Sequence, residues 1–324
     1  TPSRISWFLH YKGKYEKGGW ADPDSGNHCY INNVVFKLYC NNIVIIIKSR
    51  FYMEIISIIA VILILLTAFM FSPLGLGGGI FYLPIFLYLL EWEIHLAILG
   101  SISLVLTVSI GSRMAHVKGG YADKDVAKIG IPFALIGVIC GTVISSKLIY
   151  HFGDLAIKFA ASFLLIWVIF STLNNIFRDE NDENEILNLE LITLNSSKKY
   201  KLLCFVGGTT SGALGIGGGM LFVTFHRALF NWKPHRAAGT SYIIETWIVP
   251  VGIISHLIID QSGPKLLDEI GLWIFFIGIV VFLSSWLGAK TAIKIIPQDF
   301  LIYPFLLAII VSLIRYSVDI FSYY

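Results

Sequence analysis

Charge is scarce in this sequence. Of its 324 residues 14% are Asp, Glu, Lys or Arg, against roughly 25% in soluble globular chains. It is also segregated. None occurs in 55–90, 129–146, 159–177, 202–226, 270–289 or 300–314, and 237–259 holds one, Glu245. With their weakly charged flanks, most of these gaps approach or exceed the roughly 20 apolar residues of a membrane-crossing helix. Together with a hydrophobic content of 56% and a mean hydropathy of +0.75, they exclude a soluble globule. Other absences narrow the function. The net charge is only +3, and no basic cluster interleaved with aromatics argues for nucleic acid. No Walker A sequence is present, so ATP drive by this chain is not expected. No His, Cys, Asp or Glu grouping has metal-ligand spacing, and no Ser-His-Asp arrangement follows from spacing. The expectation is a non-enzyme without cofactor or metal. Cysteine is rare at four. Cys140 and Cys204 fall in apolar runs and read as packing residues. Cys29 and Cys40 admit two readings, a disulfide if their segment faces an oxidising compartment or two free thiols.

What is present is organised in four parts. Residues 1–50 are mixed and polar, an N-terminal extramembrane segment without an initial Met, as expected of a processed or incomplete chain. Apolar runs in 51–177 predict helices over 51–73, 79–90, 94–115, 126–149 and 155–177. A polar linker with an acidic front, RDENDENEILNLELITLNSSKKYK, covers 178–201 and reads as a solvent-exposed connection. The remainder, 202–324, predicts helices over 202–214, 218–230, 236–258, 269–291 and 299–316. The fold class is all-α, a polytopic membrane protein.

The two apolar parts are alike. LGLGGG at 74–79 has a partner in LGIGGG at 214–219, an offset of 214 − 74 = 140. That offset, without gaps, carries Trp92 onto Trp232, His95 onto His235, Ala97 onto Ala237 and Ser101 onto Ser241, and ten of the 28 positions in 74–101 are identical. It also carries His116 onto His256. One inserted residue then aligns Gly130 with Gly271 and Gly137 with Gly278. Composition alone does not match Trp, His and a glycine triplet in register. The chain reads as two repeated helical halves, as in many secondary transporters whose substrate site lies between the halves.

Three consecutive glycines are a poor choice for a helix interior, each costing about 1 kcal/mol relative to Ala. Bare backbone in lipid finds no hydrogen bonds, so such a stretch must be buried in protein or line a cavity. Two readings follow. The glycines allow close helix packing, or they break the helix so that successive amides and a helix N-terminus form a concavity for an anion. Recurrence in register, each time before a short apolar segment, favours the second.

These residues resemble a known family. GLGGGIFYLP…HLAILGS and GALGIGGGMLFVTF…HRAAGTS look like the paired signature of the TauE/SafE sulfite exporters, over roughly 54–316. The resemblance implies a multi-pass permease for small sulfur-containing anions, such as sulfite or sulfonates, or related organic anions. There are departures: Gly100-Ser101 replaces the first Thr-Ser pair, Thr224 stands where Pro84 has its counterpart, and residues 1–50 resemble a eukaryotic-style extension. The alternative class is a structural subunit that serves assembly of a membrane complex without transport. The expected partners are a small anion and the lipid bilayer, with complex partners or a homo-oligomer left open.

The candidate substrate-binding residues are Gly75, Gly77, Gly78, Gly79 and Ser101 in the first half, and Gly215, Gly217, Gly218, Gly219, Thr240 and Ser241 in the second. The hydroxyls are candidates either for donation to a sulfonate oxygen or for bonds to their own backbone. Trp92 and Trp232 read as bilayer anchors, with His95 and His235 structural beside them. Glu245 is the one charge within its run, a functional candidate by position. Its partner by offset is Val105. It carries a proton, or pairs with Arg113 or a buried hydroxyl. His116 and His256, near the ends of their helices, are further candidates for proton coupling. Bases at Lys12, Lys14, Lys17, Lys37, Lys48 and Arg50 place the N-terminus in the cytoplasm by the positive-inside rule, whereas a Cys29–Cys40 disulfide places it outside.

Overall fold

A computed structural model describes residues 54–178, 194–295 and 298–322. The readings for residues 1–50, including Cys29 and Cys40, and for most of the linker lie outside them. Among the described residues there is no strand. The helices, in chain order, are α1 (Glu54–Leu74, its last turn the 3-10 turn Ser72–Leu74), α2 (Gly79–Leu89), α3 (Ile94–Lys118), α4 (Lys124–Phe152), α5 (Asp154–Arg178), α6 (Leu194–Leu214), α7 (Gly219–Phe230), α8 (Pro234–Ile259), α9 (Gly263–Ile270), α10 (Trp273–Ile295) and α11 (Gln298–Phe321). Six of them, α1, α3, α4, α5, α8 and α10, are long and apolar enough to cross a membrane. Exposed apolar stripes support that placement. Ile58, Ile62 and Leu66 recur every fourth residue on α1, and Phe163, Ile166 and Phe170 mark α5. The chain is an integral, multi-pass membrane protein.

Two boundaries differ from the sequence expectation. Helix α6 begins at Leu194, so the back of the polar linker is already helical. The expected helix over 269–291 begins at Trp273 as α10, and an unexpected short helix, α9, precedes it and ends at Gly271, whose φ is 59°. The Pro84-to-Thr224 departure also has a structural result. Pro84 lacks an N–H, and after it the helix widens into a π-turn over Ile85–Leu89. Thr224 keeps its amide, its hydroxyl donates to the Met220 carbonyl at 2.9 Å, and α7 runs unbroken to Phe230. The π-turn of α2 is held from outside: the Tyr88 hydroxyl donates to Asp319, which pairs with Lys158 of α5, and Arg315 lies over the Tyr88 ring at 4.6 Å. Trp232 is 4% exposed, under Arg236 at 4.2 Å, and Trp92 stacks on Phe86 at 4.5 Å. Burial of Trp232 replaces its expected role as a bilayer anchor with one in packing the turn.

Small residues set the closest helix contact, between α4 and α6. A Cβ on Gly137 or Gly141 would run into the backbone of Phe205 or Thr209, and one on Gly208 or Gly212 into the carbonyls of Ala134 or Val138. Both helices carry Gly-xxx-Gly spacing here, the arrangement that lets membrane helices approach backbone to backbone.

Helices α3 and α8 run antiparallel. His95, at the start of α3, lies 3.2 Å from Asp260, at the end of α8. Ile102 lies against Gly252, and Ser109 bonds Glu245. At the far end the His116 ring is 6.3 Å from that of His235, at the start of α8. Positions 95, 102, 109 and 116 on α3 are seven apart, the spacing of a continuous seam along one helix face.

Candidate functional site

Each glycine stretch is a true helix break. Helix α1 ends at Leu74, and Gly75, Gly77 and Gly78 take φ of 78°, 65° and 78° before α2 starts at Gly79. In the second half α6 ends at Leu214, and Gly215, Gly217 and Gly218 take φ of 67°, 81° and 76° before α7 starts at Gly219. All six lie in the left-handed region, where a side chain costs roughly 1–2 kcal/mol. Gly79 and Gly219 are required for space instead. A Cβ on Gly79 would come within 2.5–2.7 Å of the Ile216 backbone, and one on Gly219 would meet the Gly75 carbonyl oxygen at 2.5 Å. The first break therefore touches the second, and the second touches the first.

The serines join them. Ser101 donates to the Gly215 carbonyl at 2.9 Å, with the Gly79 carbonyl at 3.2 Å. Ser241, its counterpart, donates to Ala238 at 2.9 Å, with the Gly75 carbonyl at 3.5 Å. Both hydroxyls are buried and face carbonyl acceptors. Thr240 is not brought to the breaks. It donates to the Arg236 carbonyl and accepts from the Asp123 amide, each at 2.9 Å, beside the Asp123–Arg236 ion pair.

The amides of Gly78, Gly79 and Ile80, and those of Gly218, Gly219 and Met220, have no backbone carbonyl partner among the described residues. The first amides of a helix need a partner from outside it. Here two sets of them, at the N-termini of α2 and α7, are buried within the protein.

Glu245 lies between the breaks, 0% exposed. Its Oε2 accepts from Ser109 at 2.5 Å, which settles its expected partner as a hydroxyl, and Oε1 has no partner. A Cβ on Gly77 would stand 3.2 Å from Oε2, and one on Gly219 would overlap the carboxyl group. Val105, its equivalent by offset, covers Gly217. Nothing in the sequence separated Ser109 from the other serines; the contact is made only by the antiparallel seam.

His116 and His256 are not brought together. His116 Nδ1 meets the Ser112 carbonyl at 2.9 Å, its Nε2 has no partner, and its ring lies 5.6 Å from Tyr242. His256, at the other end of the seam, faces the Gly212 carbonyl at 2.8 Å and Asp260 at 2.6 Å. Asp260 thus stands between two imidazoles, His95 and His256. Burial alone would raise its carboxyl, but the hydrogen bond from His256 and the His95 imidazole at 3.2 Å outweigh that and hold it below the usual carboxylate range.

Paired helix breaks packed against one another inside the membrane are a feature of many transporters. The family model for the sulfite exporter TauE/SafE matches residues 60–316, and the chain belongs to that family. It is 25% identical over 251 residues to a probable membrane transporter protein, YunE, of Bacillus subtilis, covering 72% of this chain and 86% of the relative. It is 26% identical over 245 residues to a probable membrane transporter protein of Haemophilus influenzae, covering 71% and 86%. No solved structure matches the chain.

Proposed function

We propose that this chain is a permease for small sulfur-containing or organic anions, with sulfite and sulfonates the first to test, and that the anion binds at the paired glycine breaks. One observation carries the reading: two helix N-termini, α7 and the shorter α2, present unsatisfied amides beside left-handed glycines in the protein interior. Such amides bind anions without a fixed cationic side chain, which suits a site that must also release its ligand. Gly75, Gly77, Gly78, Gly79, Gly215, Gly217, Gly218 and Gly219 form the backbone of the site, Ser101 and Ser241 tie its two sides together, and Thr240 braces the neighbouring turn.

We further read the two halves as one unit repeated with inverted topology. The antiparallel course of α3 and α8, equivalent by offset, supports it, as do the exchanged contacts of Ser101 with Gly215 and Ser241 with Gly75. Gating of one helix bundle against another about a central site gives alternating access, with bundles that need not coincide with the halves. His116 and His256 share no proton step in this scheme, since the seam holds them at opposite ends.

The test is uptake of labelled sulfite and of a sulfonate into proteoliposomes by wild type, Gly78→Ala and Gly218→Ala, with binding to the same folded proteins in detergent. Uptake by wild type and lost affinity in both variants is expected. Wild-type affinity in both variants would refute the amide site. No uptake by well-folded wild type, with a stoichiometric partner on purification, would favour the assembly-subunit class.

A further inference from the structure

Glu245 is the feature that the repeat does not account for. It is wholly buried, and no ion pair involves it among the described residues. One carboxyl oxygen accepts from Ser109 and the other, Oε1, has no partner. The carboxyl lies where a Cβ of Gly219 would be, at the start of α7, and a second acceptor, the Gly75 carbonyl, adjoins the same Cα.

The titratable or charged groups on the helices around it are His235, Arg236, Tyr242 and His256 on α8, His95, Arg113, His116 and Lys118 on α3, Tyr82 and Tyr88 on α2, and His226 and Arg227 on α7, and none of them forms an ion pair with it among the described residues. The Tyr242 hydroxyl donates to the Ser72 carbonyl at 2.8 Å. The break residues 75–78 and 215–218 bring only apolar side chains and glycine. An ionised carboxylate here would be a buried charge compensated only by the α7 N-terminus, the same amides an anion would use, and it would face a carbonyl dipole of the same sign.

An anion at the α7 amides would then stand beside a second negative charge. At a separation of about 4 Å and an effective dielectric of about 20, that repulsion lowers affinity by roughly a thousand-fold. A proton on Oε1 removes the charge and turns an acceptor into a donor.

We propose that Glu245 is a proton-binding site whose occupancy is required for anion binding at the glycine breaks, so that each anion crosses with one proton. The inference rests on the anion-permease reading. A proton from the entry side binds Oε1, the anion binds beside it, and both leave on the far side. For a monovalent anion the cycle moves no net charge.

The probe is methanesulfonate, whose charge is constant across the pH range of the experiment, with the full-length purified chain. Wild-type affinity is expected to rise as pH falls, approaching the ten-fold per pH unit of a single linked proton. Glu245→Gln should bind with an affinity independent of pH. Ser109→Ala, which removes the one donor to the carboxylate, should keep the pH dependence and move it to higher pH. A separate reading does not depend on the anion: the infrared carbonyl band of a protonated buried carboxyl, present in wild type and missing in Glu245→Gln. Wild-type pH dependence retained in Glu245→Gln, or the same band in both proteins, overturns the proposal. A wild type that shows the band yet binds no methanesulfonate at any pH overturns the anion reading and the coupling with it, while leaving the proton site in place.

Discussion

The break at 72–84 and the break at 212–224 are built alike, and they differ in what faces them. Their backbones share three left-handed glycines, a serine seven residues into the following long helix, and a mutual contact. Yet Val105 covers Gly217, whereas its equivalent Glu245 lies on Gly77 and Gly219. The same backbone geometry thus accepts a methyl group on one side and a carboxyl on the other. On the proposed reading, amide presentation is common to both breaks and charge control belongs to one of them.

The largest effect that would break this comparison is at the helix starts. Gly219→Ala places a methyl group into the Glu245 carboxyl and the Gly75 carbonyl, and Gly79→Ala into the Ile216 backbone. Overpacking of this kind typically costs about 1–3 kcal/mol, and it falls directly on the proposed site. Both variants should lose anion uptake in proteoliposomes, with Gly219→Ala the worse because it meets a charge-bearing group. Gly120 is the control, with φ 77° and nothing within 4 Å of an added Cβ. Gly120→Ala bears only the backbone strain, and its uptake should match wild type. Equal loss at Gly120 would show that left-handed strain, and not crowding at the breaks, governs activity.

A middle-sized effect separates the two ends of the α3–α8 seam. One end is clasped by Asp260 between His95 and His256, while the other sets His116 near His235 with no acid between them. Asp260→Asn should lower stability by about 1.5–3 kcal/mol, the range for a hydrogen bond to a charged group. Because the carboxyl is held below its ordinary value in the folded chain, its contribution is full above the unfolded value of about 3.9 and drains away as pH falls further. Thermal melts of wild type and Asp260→Asn should differ at neutral pH and converge only in strong acid. A gap that shrinks as pH rises through neutrality would assign the clasp to protonated histidines instead.

The smallest effect is between the serines. Ser101 reaches across to Gly215 at 2.9 Å, while the cross-contact of Ser241 is long at 3.5 Å. Ser101→Ala should cost about 1 kcal/mol in chemical melts and Ser241→Ala a fraction of that. The reverse order would mean that the second serine carries the joint.

Much of this was legible in the sequence because lipid imposes a coarse code. Charge-free runs located most of the helices to within a few residues. The glycine triplets announced the breaks, since nothing but glycine takes three left-handed positions in four residues at low cost. Glu245 stood out as a lone charge. What was hidden depends on contacts between distant segments. The offset equated Glu245 with Val105 and so removed it from the repeated unit, without showing that it lies on Gly77 of the other half. Ser109 is one serine among many until α3 and α8 are paired antiparallel. Asp260 sits just past the apolar run and reads as an ordinary helix end. Trp232 looked like a bilayer anchor because a Trp beside a turn is equally suited to either place. The start of α6 was hidden by its polar first two turns, LNSSKKYK, whose helicity does not come from an apolar stripe.

The glycine seam between α4 and α6 has a mechanical consequence. With backbone lodged against backbone, one helix cannot be slid along the other without first being lifted out of its notches, and no flexible side chain is present to ease the passage. These two helices should therefore travel as a single lever in any transport cycle. In the proposed cycle the hinges lie elsewhere, in the left-handed glycine segments at 75–78 and 215–218 that already part the long helices from the short ones.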